Sequence, residues 1–128
     1  MQMKIKIISV GKIKESYLVE GINEYLKRLS KYCSIEIIEV KDEQAPESLS
    51  DKDRVKIKEI EGKRILDKLN DEYIISLAIE GKQLSSEALA EKFNEITNYH
   101  SSNIAFIIGG SLGLSKEVLN KSNMKLSF

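Results

Sequence analysis

Ile104-Ala105-Phe106-Ile107-Ile108-Gly109-Gly110-Ser111-Leu112-Gly113 is an apolar run of strand length that stops on paired glycines. A run without polar alternation is buried on both faces, which is the position of a central strand in a parallel sheet. Tyr73-Ile74-Ile75-Ser76-Leu77-Ala78-Ile79 has the same character and is expected to lie beside it. Two such strands cannot stand alone. They need neighbours in the sheet and helices above and below it.

The flanking sequence supplies both. Lys4-Ile5-Lys6-Ile7-Ile8-Ser9-Val10 begins alternating and is rich in β-branched residues, so it reads as a first strand ending at Gly11. Leu18, Ile22, Tyr25, Leu26 and Leu29 recur at three and four, one face of a helix starting near Ser16. Ser34 to Val40 is a second strand. Residues 41–50 form a loop with Pro46 and four charged side chains. Ser50 is placed to cap a helix, with Asp51 and Asp53 in its first turn. That helix is expected to reach about Leu69, turning Ile57, Ile60, Ile65, Leu66 and Leu69 inward. Glu80-Gly81-Lys82-Gln83 reads as a turn. A third helix follows Ser85 or Ser86, with Leu89, Phe93 and Ile96 inward. Ser115 caps a short fourth helix to about Lys121, and Met124, Leu126 and Phe128 alternate like a fifth strand.

Strict β-α alternation predicts an α/β fold, a mostly parallel sheet with helices on both faces and right-handed crossovers. With 128 residues, one domain over 1–128 is expected. Twenty basic and 20 acidic residues balance to zero, which gives no general attraction to nucleic acid, so any such contact needs local patches. Only Arg28, Arg54 and Arg64 are arginines. Lys4, Lys6, Lys12 and Lys14, with Lys27, Arg28 and Lys31, form such a patch or a solvated face balanced by Glu15, Glu20 and Glu24. No window has the apolar length of a membrane span, and the reading is a cytoplasmic protein.

Few residues carry chemistry of their own. His100 is the one histidine, away from the strand ends where α/β sites sit, and Cys33 has no basic activator closer than Lys31. One His and one Cys cannot build a zinc site, and no metal is expected. The Gly109–Gly113 segment follows a buried strand and precedes a helix, where ligands of open α/β sheets bind. It lacks the Gly-Lys-Ser/Thr of a phosphate loop and the spacing of a dinucleotide fingerprint. Locally it fits a ligand loop and a tight β-to-α turn equally well. Leu77, near the end of the neighbouring strand, is either core or the wall of a pocket for an apolar ligand face.

The ordered set Val10-Gly11-Lys12, Glu24-Tyr25-Leu26-Lys27-Arg28-Leu29, Ile37-Ile38-Glu39-Val40, Glu61-Gly62, Leu77 through Gly81-Lys82, Ile107 through Ser115 and Met124-Lys125-Leu126-Ser127-Phe128 resembles the RlmH family of SPOUT-class methyltransferases. The resemblance covers the whole chain. It implies methyl transfer from S-adenosylmethionine to N3 of a pseudouridine in 23S ribosomal RNA of the ribosome. It also implies a homodimer and a C-terminal trefoil knot, an exception to the usual unknotted topology. The family's cofactor contacts carry over to Leu77, Gly109 and Phe128. In that family the chain continues beyond the Leu-Ser-Phe strand, through a Pro-His and an Arg to a last knot helix. The expectation for these residues is therefore an incomplete knot, no assignable catalytic residue and an inactive, truncated chain. The competing reading is a non-catalytic module, flavodoxin-like, receiver-like or a degenerate dimer. Asp42 and Glu43 after the second strand are its acidic candidates.

Overall fold

The computed structural model describes residues 3–11, 33–44, 48–83, 88, 91–92, 95–96, 103–109 and 112–127. Five strands and two helices are delimited there: β1 (Met3–Val10), β2 (Cys33–Val40), α1 (Asp51–Leu66), β3 (Tyr73–Gln83), β4 (Asn103–Ile108), α2 (Lys116–Lys121) and β5 (Met124–Ser127). They form one sheet in the order β2-β1-β4-β3-β5, with every neighbouring pair parallel. The two continuously apolar strands are adjacent, and β4 is the central one, as their burial on both faces requires.

Strand periodicity sorts the core into two layers. Ile5, Ile7, Ile75, Ile104, Phe106, Ile108 and Leu126 meet on one face, where Ile96 packs against them from a helical turn. Ile8, Val10, Ile74 and Ile107 point to the other face and meet Ile65 of α1 and Leu114 and Val118 at α2. Helices therefore cover both faces. The moves β2 to β3 and β4 to β5 run in one direction across the sheet with α1 and α2 on one face. The move β3 to β4 runs back with the segment of Ile96 on the other face. All three crossovers thus share one hand, as the rule for parallel βαβ units requires.

The local signals hold at α1. Ser50 adopts an extended conformation, its Oγ accepts from the Asp53 N–H at 3.2 Å, and the Asp53 carboxylate accepts back from the Ser50 N–H. This reciprocal capping box satisfies two donors that the first turn leaves over. The helix ends at Leu66, short of Leu69, because after Asp67 the Lys68 and Leu69 N–H groups close the last turn with shorter-range bonds to the Ile65 and Leu66 carbonyls. Its buried residues are Ile57, Glu61, Gly62 and Ile65, while Ile60, Leu66 and Leu69 are half-buried. Ser115 caps α2 through Val118 N–H at 3.3 Å. Asn123 then exchanges two bonds of 2.8 Å with the backbone of Ile74, which pins the entry of β5 to the start of β3.

Two expectations are corrected. Residues 80–83 are not a turn: β3 runs on to Gln83, because after a register shift Lys82 and Gln83 pair again with Leu126 and Ser127 of β5. The flavodoxin or receiver alternative also fails, since those folds order their strands 2-1-3-4-5. Here β4 is inserted between β1 and β3. The first helix near residues 16–29, His100, Phe93 and the lysines at 12, 14, 27 and 31 lie outside the described residues, as does Arg28. So do residues 84–87, 110–111 and 128, through which the expected knotted path would run.

Candidate cofactor site at the carboxyl ends of the strands

Parallel pairing brings all five strand ends to one side of the sheet. Leu77 is in register with Ile108 of β4 and with Leu126 of β5, so the three side chains form one row across the last turn of the sheet. All three belong to the same core layer, and Leu77 is the half-buried member. The row lies at the carboxyl edge, where open α/β sheets bind ligands, with Ile108 and Leu126 buried and Leu77 partly open. Gly109 follows Ile108 directly, and Phe128 follows Leu126 by two positions in the sequence, outside the described residues. Two of the three expected contacts, Leu77 and Gly109, are thus brought together by the register.

Gly109 has a specific steric reason to be glycine. A Cβ there would lie 2.9 Å from the Gly113 carbonyl carbon, 3.0 Å from its oxygen and 3.0 Å from Leu114 Cδ2. The loop folds back on its own start. Positive φ is needed elsewhere, at Gly113, where φ is 89°. A Cβ at Gly113 would meet nothing within 4 Å. The two glycines therefore serve the loop in different ways. Gly109 closes the loop, and Gly113 turns the chain with its backbone facing open space.

The loop is held from below. Leu114 and Ser115 are buried. Gly62 of α1 approaches so closely that a Cβ on it would stand 2.6 Å from Ser115 Oγ and 3.2 Å from Val118 Cγ2. Beside it, Glu61 is 5% exposed and accepts the Glu43 N–H at 3.0 Å. Burial pushes the Glu61 carboxyl above its ordinary value, and the charges of Asp42 and Glu43 add to this. The Glu43 N–H and Arg64 oppose it. Arg64 also ties down this loop, donating to the Lys41 carbonyl at 2.9 Å and the Glu43 carboxylate at 2.7 Å. Gly11, with φ 73°, donates to the Val40 carbonyl at 2.8 Å and closes the ends of β1 and β2 together.

Sequence reasoning placed Ser115 as a cap but missed Glu61 and Gly62 as supports of these loops. Their signal was a charged residue and a glycine at inward positions of an otherwise regular helix. Asp42 and Glu43 do not form a receiver pocket. Glu43 is engaged by Arg64, and its N–H is used by Glu61. Among the described residues no group of three or more His, Cys, Asp or Glu is arranged to hold a metal. Lys6, read as part of a basic patch or of a solvated face, is bridged to Glu72 at 2.8 Å and to the Lys68 carbonyl at 2.8 Å. A polar cleft of about 270 Å³ beside it, lined by Lys4, Lys6, Asn70, Glu72 and Asn103, lies at the amino ends of the strands. That is the wrong end for the chemistry of this sheet.

A family model described as "Predicted SPOUT methyltransferase" matches residues 3–128. The chain belongs to the SPOUT methyltransferase family. It is 58% identical over 127 residues to the "Ribosomal RNA large subunit methyltransferase H" of Enterococcus faecalis (strain ATCC 700802 / V583), covering 98% of this chain and 80% of that protein. The protein of the same name from Bacillus cytotoxicus (strain DSM 22905 / CIP 110041 / 391-98 / NVH 391-98) is also 58% identical, and that of Bacillus thuringiensis (strain Al Hakam) 57%, each with the same coverage. Among the described residues no helix is long and apolar enough to cross a membrane.

Proposed function

We propose that this protein transfers a methyl group from S-adenosylmethionine to N3 of a pseudouridine in 23S ribosomal RNA. It acts on the ribosome in the cytoplasm, as a homodimer of one-domain chains and without a metal. The observation that carries this reading is the 58% identity, across 98% of the chain, to relatives named as large-subunit ribosomal RNA methyltransferases. At that level the pocket and its loops are expected to keep their chemistry.

The residues at the strand ends suit this cofactor. Leu77, the half-buried member of its row with Ile108 and Leu126, offers an apolar surface to a flat heterocycle, Gly113 presents backbone with no side chain in the way, and Gly109 lets the loop close. Leu77, Gly109 and Phe128 are proposed to hold it. The cofactor, when bound, supplies an activated methyl group on a sulfonium. None of these three side chains titrates, so their part is to bind, orient and exclude water. Loss of the N3 proton needs another group. With zero net charge overall, contacts to RNA phosphates are expected from local lysine clusters.

The test uses the natural full-length protein. Ribosomes from cells lacking the gene are incubated with it and labelled S-adenosylmethionine, and digested 23S RNA is resolved by nucleoside mass spectrometry. N3-methylpseudouridine in the treated sample supports the proposal. Label in any other nucleoside, or none, refutes it. Light scattering should give the mass of two chains.

A further inference from the structure

We propose that Gly62 is a positioning residue for the cofactor loop, setting the place of Gly113 and Leu114 through its contact with Ser115. The inference rests on the reading of Gly109–Gly113 as the cofactor loop, and it assigns control of that loop to a helix remote in sequence.

Gly62 is a glycine inside α1, buried where the helix crosses the start of α2. Glycine in a helix interior is unfavourable compared with alanine. Its φ does not call for glycine, since the positive values fall at Gly11 and Gly113. What calls for it is space. A Cβ would lie 2.6 Å from Ser115 Oγ, 3.2 Å from Val118 Cγ2 and 3.4 Å from Ser115 Cβ. Ser115 Oγ cannot simply turn away, because it accepts the Val118 N–H that caps α2. Any side chain at 62 must therefore break the cap or push Ser115 outward.

A push on Ser115 is passed on directly. Leu114 is buried in the same core layer as Ile65, Ile107 and Val118. Its Cδ2, with the Gly113 carbonyl group, stands against Gly109 at distances a Cβ could not tolerate. Interiors this dense shift rather than absorb such a change. The same stretch of α1 also carries Glu61, which holds the Glu43 end of the neighbouring loop. One helical turn thus sets two loops at the carboxyl edge of the sheet.

The experiment is calorimetric titration of S-adenosylmethionine into the natural full-length protein and its variants Gly62→Ala, Ser115→Ala, Gly62→Ala/Ser115→Ala and Gly109→Val. Hydrogen exchange of the cofactor-free proteins is measured in parallel. Gly62→Ala should lose about tenfold or more in affinity, as misplacements near an ångström do. It should also exchange the Gly113 and Leu114 amides faster. Removing Ser115 Oγ clears the 2.6 Å contact, so the double variant should bind within about threefold of Ser115→Ala alone, which by the usual cycle is a coupling of about threefold or more between the two positions. Wild-type affinity in Gly62→Ala, or a double variant that loses as much relative to Ser115→Ala as Gly62→Ala loses relative to the wild type, overturns the inference while the cofactor reading stands. Wild-type affinity in Gly109→Val overturns the cofactor reading, and the inference with it. Should Gly62→Ala fail to fold, a folded double variant with the affinity of Ser115→Ala supports the contact, and an equally unfolded one refutes it.

Discussion

Replacing Gly109 by alanine isolates the way the loop closes. The added Cβ would stand 2.9 Å from a backbone carbon and 3.0 Å from a backbone oxygen of Gly113. Carbon atoms rest at about 3.5–4.0 Å, so the two backbone segments must separate by about 0.6–1 Å. Neither is a flexible side-chain end. Gly113 already sits at φ 89°, and Leu114 is locked in the core, so little of the displacement can be absorbed locally. Overpacking of this kind costs about 1–3 kcal/mol. For a domain of this size that lowers Tm by about 4 °C per kcal/mol, or about 4–12 °C in all. The assay is thermal unfolding followed by circular dichroism without cofactor, repeated with saturating S-adenosylmethionine. The cofactor should raise the Tm of the wild type more than that of the variant, because a displaced loop binds less and bound ligand stabilises by mass action. An unchanged Tm without cofactor would mean that the loop does not close against Gly109, and the steric argument would fall.

Three further outcomes follow from other parts of the structure. Glu61→Gln keeps an acceptor for the Glu43 N–H but cannot ionise. In the wild type the carboxyl is raised from 4.5 by burial, so its contribution is full below 4.5 and lost as pH climbs through the higher native value. The urea midpoint of Glu61→Gln, measured at about pH 4 and about pH 7.5, should therefore drop less, or rise, between the two. An unchanged pH dependence would contradict the placement of Glu61. At the other end of the sheet, burial raises the Glu72 carboxyl, but hydrogen bonds from Lys6 and the Asn70 N–H outweigh this and hold it below 4.5. Its contribution is present above 4.5 and lost as pH falls through the lower native value. Lys6→Met strands this largely buried carboxylate and should cost about 3 kcal/mol in urea unfolding at neutral pH, with a smaller loss on acidification. Equal stability would show the pair to be solvent-separated. Leu77→Ala should cost about 1–2 kcal/mol as a half-buried truncation and, separately, weaken cofactor binding in calorimetry. Full affinity in a folded variant would remove Leu77 from the site.

Strand order is the first point where chain and structure part. The continuous apolar runs at 73–79 and 104–108 are legible as central strands because a side chain period of two leaves no face for water. Nothing local states that β4 enters between β1 and β3, and that insertion separates this fold from the flavodoxin order. It arises from which faces the crossovers cover, a long-range matter. The extension of β3 through Glu80-Gly81-Lys82-Gln83 was misread for a related reason. Glycine and charge look like a turn, but pairing with β5 supplies the hydrogen bonds that keep the segment extended.

Local chemistry alone was enough for the five strands, the helices after Ser50 and Ser115 with their caps, the two-faced core and the location of a glycine loop after a buried strand. Each depends on neighbours within a few residues, whose steric and hydrogen-bonding preferences act before any fold exists. The division of labour between Gly109 and Gly113, the Leu77–Ile108–Leu126 row and the fit of Gly62 under Ser115 came from packing. They depend on register, on how the loop closes and on helix approach, where a Cβ at Gly62 would stand 2.6 Å from Ser115, a residue far away in the chain, and such contacts settle which side chains can exist. No pattern of neighbours along the chain encodes such a distance.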